Sequence, residues 1–164
     1  MSILQFIQEK FQQDILSTHS FRDDETVILN PQALRLFASF LKETPELAFN
    51  FLMDVTAVDY LHFAKGETKK SPRFEVIYHF YSLKGNHRLR LKVPVEEKNP
   101  EVDTLSDLWA SANWFEREVW DMFGIRFKGH PNLKRILMYD EFKGHPLRKD
   151  YPFNKRQPLV GPVN

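Results

Sequence analysis

Hydrophobic positions divide the chain into a few short elements. Ile3, Leu4, Ile7, Phe11 and Ile15 recur at helical spacing, which predicts an opening amphipathic helix. Thr26 to Leu29 reads as a short strand. Asn30-Pro31 then starts a second helix, because Asn caps well and Pro is tolerated at the first helical position. Leu34, Phe37, Ala38 and Leu41 form its apolar stripe. Thr44-Pro45 stops it and begins a third, short helix through Leu52. Val55 to Tyr60 reads as a strand, and Phe63 to Pro72 as a polar loop. Phe74, Val76, Tyr78 and Phe80 alternate strictly, as do Leu89, Leu91 and Val93 with Arg88, Arg90 and Lys92 opposite. Lys84-Gly85-Asn86 joins these two strands into an antiparallel hairpin. Thr104-Leu105-Ser106-Asp107 reads as the capping box of a long helix that stops at Gly124.

This order of elements predicts an α+β fold: a mixed sheet containing an antiparallel hairpin, helices mostly on one face, plus an extended C-terminal arm. Residues 1–126 form the α+β domain ending in the long helix. Residues 127–164 form the arm, which is basic, Pro-punctuated and without amphipathic period. On a wheel of about 100° per residue, Leu105, Leu108, Ala112, Phe115, Val119, Met122 and Phe123 make the core stripe. Trp109, Trp114 and Trp120 lie off its edges, and only a strip near Asn113 and Arg117 is plainly polar. A helix apolar nearly all round is buried on more than one side. The expected second cover is a partner protein.

Composition narrows the chemistry. The chain has 164 residues, 42% hydrophobic and 27% charged, which suits about one globular domain. Its net charge of +1 is too small to suggest nucleic acid as the main partner. There is no Cys, which excludes disulfides, Cys-ligated iron–sulfur clusters and Cys nucleophiles. Neither a phosphate-binding glycine loop nor a G-x-S-x-G elbow occurs. Met1 to Lys10 lacks the marks of a signal or transit peptide, and no apolar run approaches the roughly 20 residues of a membrane span. The expectation is a cytosolic protein, or one peripheral on the cytosolic face of a membrane.

Chemistry-bearing residues gather between Asn113 and Pro152. Glu118 and Asp121, three apart on the helix, could do acid–base work with His130. Arg117, Arg126, Lys134 and Arg135 offer them cationic partners, and the structural or interface reading outweighs the catalytic one. The pentapeptide Phe-Lys-Gly-His-Pro occurs twice, ending at Pro131 and Pro146. Its His130 and His145 are a weak metal signal, better read as turn residues that tie backbone locally. His62, His79 and His87 have no motif context.

Glu116-Arg117-Glu118-x-x-Asp121, then Met122-Phe123, His130, Lys134 and Ile136-Leu137, together resemble the signature of the C-subunit family of NADH-quinone oxidoreductase, respiratory complex I. Gly144 to Pro152 resembles that family's C-terminal arm, and Thr56 to Tyr60 its strand after the short helix. The resemblance covers at least Val55 to Pro152. It implies a non-catalytic scaffold subunit of the peripheral arm of a proton-translocating enzyme. That enzyme carries electrons from NADH through FMN and iron–sulfur clusters, held in partner subunits, to quinone. No cofactor or metal is expected in this chain. The implied partner is the D-subunit, which forms the quinone site, on the cytoplasmic side of the bacterial inner membrane. The expected partner-binding or structural residues are Glu116, Arg117, Glu118, Asp121, His130, Arg135, His145, Arg148 and Asp150. Rival readings are the equivalent subunit of an energy-converting hydrogenase or F420H2 dehydrogenase, a stand-alone acid–base enzyme using Glu118, Asp121 and His130, and a nucleic-acid module using the basic tail.

Overall fold

A computed structural model of the chain describes residues 3–63 and 72–157. Its elements run α1 (Ile3–Phe11), β1 (Ile15–Phe21), β2 (Asp24–Leu29), a 3-10 turn (Pro31–Ala33), α2 (Leu34–Glu43), β3 (Phe51–Asp59), β4 (Phe74–Ser82), β5 (His87–Val95), β6 (Glu101–Asp103), α3 (Ala112–Phe123) and β7 (Arg126–Lys128). Five strands form one sheet in the order β1-β2-β5-β4-β3. The β2–β5 pair is parallel and the other pairs are antiparallel, so the sheet is mixed as expected. The expected polar loop lies largely outside the described residues.

Strict alternation works as the sequence predicts. Phe74, Val76, Tyr78 and Phe80 on β4 and Leu89, Leu91 and Val93 on β5 point into one core. Ile7 and Phe11 of α1, the apolar stripe of α2, and Ala112, Val119, Met122 and Phe123 of α3 complete that core, placing the helices on one face of the sheet. Asn30 accepts a hydrogen bond from the Gln32 backbone N–H and so starts the second helical segment.

Three predicted elements differ from expectation, each for a local reason. Ile15 lies on the apolar stripe but opens β1, an edge strand exposed along most of its length and therefore without a period-two signal. Arg22 and Asp23, with φ of 53° and 66°, make the two-residue turn into β2. The third helix is a single turn, in which Leu47 and Ala48 donate to the Thr44 carbonyl, before the chain extends into β3. The capping box does not form, because Thr104 accepts from Ser106 N–H at 3.1 Å and donates to Glu116. Consequently α3 begins only at Ala112. It ends as expected, with Gly124 left-handed at φ 75° and its N–H on the Trp120 carbonyl. The strands β6 and β7, three residues each, pair in parallel beside it.

Candidate functional site

The site is the seam between α3 and residues 129–157. Asp121 stands in the last turn of α3 and is fully buried. Its Oδ2 accepts from the backbone N–H groups of Ile136, Leu137 and Met138 at 3.1, 2.9 and 2.9 Å. Its Oδ1 accepts from Arg135 at 2.5 Å. Burial alone would raise this carboxyl, but three backbone donors and the Arg135 guanidinium hold it below the usual carboxylate range. Arg135 also donates to the Phe142 and Gly144 carbonyls, fastening the arm to itself. Arg117 donates to the Lys134 and Arg135 carbonyls and lies over the Trp114 ring. The second cover of this helix, expected from a partner protein, is supplied at Arg117 and Asp121 by the chain's own arm.

The two Gly-His-Pro turns clasp α3 from opposite ends. His130 Nε2 donates to the Asn113 carbonyl at 3.0 Å, while its Nδ1 accepts from Asn132 N–H. That pairing fixes the tautomer. His145 Nδ1 donates to the Asp121 carbonyl at 3.0 Å, and Leu147 N–H to the Met122 carbonyl. These are carbonyls a helix end leaves without intrahelical partners. A Cβ at Gly124 would come within 2.6 Å of the His145 ring, so this position needs glycine for space as well as for its φ.

A second anchor holds the distal arm to the sheet. Arg73, just before β4, grips Asp59 at the end of β3 through paired bonds of 2.9 and 2.6 Å. Its guanidinium also reaches Glu97 at 2.5 Å and Asp150 at 3.0 Å. Lys149 N–H donates to Asp59 at 2.8 Å, and Arg148 lies over the Phe74 ring. For Asp59, burial pushes the carboxyl up, but the hydrogen bonds from Arg73, Lys149 and Leu61 outweigh it and bring it down to about 2. Arg73 is pushed further up by Asp59. Asp150 is held down by Arg73. Sequence reasoning missed Arg73 and Glu97. The only available signal was Asp59, inside the Thr56-to-Tyr60 run.

Glu116 is buried on the other side of α3, where it accepts from Leu105 N–H at 2.7 Å and from the Thr104 hydroxyl. Burial raises its carboxyl to about 7 against those two bonds. Glu118 is exposed and, among the described residues, forms no ion pair. The acid–base set of Glu118, Asp121 and His130 is not assembled. Both His130 nitrogens are committed to backbone, and its anchor at Asn113 lies about 12 Å along the helix from Asp121. His130 and His145 likewise sit at opposite helix ends. Among the described residues, no group of three or more His, Asp or Glu could hold a metal.

Similarity to known proteins places the chain in a family. Residues 27–157 match the family described as respiratory-chain NADH dehydrogenase, 30 Kd subunit. The NADH-quinone oxidoreductase C-subunit of Geotalea uraniireducens is 47% identical over 157 residues, covering 94% of this chain and 90% of the relative. That of Roseiflexus castenholzii is 44% identical over 156 residues, covering 95% and 86%. A solved structure titled as the trypsin-resistant fragment (1-134) of Nqo5 superposes with a TM-score of 0.68 at 33% identity, over 80% of this chain and 96% of the fragment. A chain of an archaeal membrane-bound sulfane sulfur reductase shares the fold, with a TM-score of 0.73 at 22% identity over 93% of this chain and 85% of that one. The chain belongs to the respiratory-chain NADH dehydrogenase 30 Kd subunit family, that of the NADH-quinone oxidoreductase C-subunit.

Proposed function

We propose that this chain is a non-catalytic, cofactor-free scaffold subunit in the peripheral arm of a proton-translocating NADH:quinone oxidoreductase, and that its C-terminal arm docks the quinone-site D-subunit. Electrons pass from NADH through FMN and iron–sulfur clusters of other subunits to quinone. This chain supplies area and register. It associates with the membrane through the complex, on the cytoplasmic side. Among the described residues no helix is long and apolar enough to cross a bilayer.

One observation carries the reading: the arm is held by polar bonds and leaves large apolar side chains outside. Arg135, His145 and backbone N–H groups of the arm bond inward to α3 and Asp59, while Leu137, Leu147 and Phe153 are more than half exposed, as is Trp114 on α3. Large apolar side chains left in water beside a polar seam mark a docking surface. Residues 127–164 carry eight Lys or Arg and three Asp or Glu, a net +5, whereas residues 1–126 carry fifteen and nineteen, a net −4. A basic arm with apolar anchors suits an acidic partner surface. The trypsin-resistant fragment of the Nqo5 relative, which ends at residue 134 of that protein, supports an arm separable from the body.

The test is affinity purification of the tagged native chain, with and without Leu137→Ser and Leu147→Ser together. The wild type is expected to bring down the quinone-site subunit and the variant to lose it while remaining folded. Recovery of a hydrogenase or an F420H2-oxidising module instead would favour that rival. The shared fold of the sulfane sulfur reductase chain keeps it in view.

A further inference from the structure

Glu116 is the one buried acid of the motif that neither the arm nor the core explains. Its carboxylate is fully buried, yet both of its hydrogen-bond donors are neutral. Among the described residues no cation pairs with it. The bond from Thr104 leads outward, because Thr104 Oγ1 and Ser106 Oγ are 2.9 Å apart. Both residues line a surface depression of about 530 Å³, with Arg35, Asp103, Asp107 and Lys128 around it. A buried acid is therefore joined to solvent by two hydroxyls in series.

We propose that Glu116 is a proton-exchange site, loaded and unloaded from this depression through the Ser106 and Thr104 hydroxyls. With Glu116 ionised, the Ser106 hydroxyl donates to Thr104, and the Thr104 hydroxyl donates to Glu116. A hydronium in the depression gives a proton to Ser106 Oγ and leaves as water. The former Ser106 proton moves to Thr104, and the former Thr104 proton to Glu116 Oε2. The O–H bond formed at each oxygen replaces the one broken, and no electrons are transferred. Afterwards both hydroxyls point the other way, from Glu116 towards solvent. The protonation state of a buried group is thereby written onto the rim of the depression.

The surrounding charges leave this acid free to titrate. Arg35, from α2, favours the anion but is committed to Asp107 at 2.6 Å and to the Thr104 carbonyl. Asp107 disfavours it. From β4, Tyr78 contributes a fully buried hydroxyl without a hydrogen-bond partner among the described residues, kept neutral by burial and by the charges of Glu116 and Asp103. Desolvation dominates the balance, and the carboxyl sits near neutrality. Glu116, Thr104, Ser106 and the Leu105 amide belong to the body of the subunit, and the arm contributes only Lys128, Gly129 and Pro131 at the margin of the depression.

The test is a carboxyl-carbon NMR titration of the full chain, with Glu116→Gln to identify the resonance. One Glu side-chain carbonyl signal, absent from that variant, should titrate with a midpoint of about 7. The Leu105 and Ser106 amide signals should follow the same midpoint. Thr104→Val, which deletes a donor to the anion, should move it up by roughly one unit. Thr104→Ser, which keeps the hydroxyl, should restore it. These two variants carry the test should Glu116→Gln fail to fold. A midpoint in the ordinary carboxylate range, amides that stay flat through neutrality, or no shift in Thr104→Val would each overturn the proposal.

Discussion

Helix α3 carries two fully buried carboxylates five residues apart, and they live in opposite electrostatic worlds. Asp121 faces the arm and collects three backbone N–H groups and a guanidinium. Glu116 faces the 104–106 turn and collects one backbone N–H and one hydroxyl. Burial works against both charges equally in sign. Four donors, one of them cationic, overcome it at Asp121; two neutral donors do not at Glu116. Burial alone therefore does not tell whether an acid is a fastener or a proton carrier. The donor count does.

The largest effect should follow from emptying the fastener. Asp121→Ala strands Arg135 and three inward-pointing N–H groups, at a cost of about 3–5 kcal/mol. Thermal unfolding of the protein should show the loss, and cells should contain less intact complex. Quinone-reductase activity divided by intact complex should stay near normal. A collapse of that ratio with normal assembly would give Asp121 a coupling role instead.

The second way to sharpen the contrast is pH. Glu116 has a folded pKa of about 7 against 4.5 unfolded, so the folded state binds more protons between those values. Its contribution is fully present below pH 4.5 and is lost as pH rises through about 7. Relative to Glu116→Gln, the wild type should lose about 3 kcal/mol across that window. Denaturant melts at a series of pH values would show it, and parallel curves for the two proteins would contradict it.

Asp59 should behave in the opposite sense and somewhat more weakly. Its folded carboxyl is depressed to about 2 from 3.8, so its stabilisation is present above pH 3.8 and is lost as pH falls through about 2. The loss should be about 2 kcal/mol, seen as an acid-unfolding step that Asp59→Asn shifts. Smallest are the histidine clasps. His130→Ala and His145→Ala each remove one bond to an α3 carbonyl and should cost about 1 kcal/mol. Hydrogen exchange should loosen the helix start in the first variant and the helix end in the second.

What could be read in advance follows the same division. Elements whose residues alternate or recur against one core were legible: β4 and β5, the stripe of α2, and the Gly124 stop. The exposed edge strand β1 and the short β6–β7 pair carry too little buried surface to leave a period. The motif residues were legible as a group, because a charged run in an aromatic helix violates its own pattern. Their separate roles were not. Glu116 and Asp121 differ by donors that come from residues 104–105 and 135–138, segments with no periodicity relative to α3.

The sequence by itself determined the α+β class, the family, and the segment in which function lies, because those depend on patterns written locally along the chain. Only the tertiary structure decided that Arg117 and Asp121 are covered by the chain's own arm, that Arg73 joins Asp59 to Asp150, and that Glu116 is buried on two neutral donors without a paired cation among the described residues. The physical reason is that a charge's state depends on the donors and the dielectric around it. Residues distant in sequence supply both when the arm closes on the helix and the sheet closes beneath it.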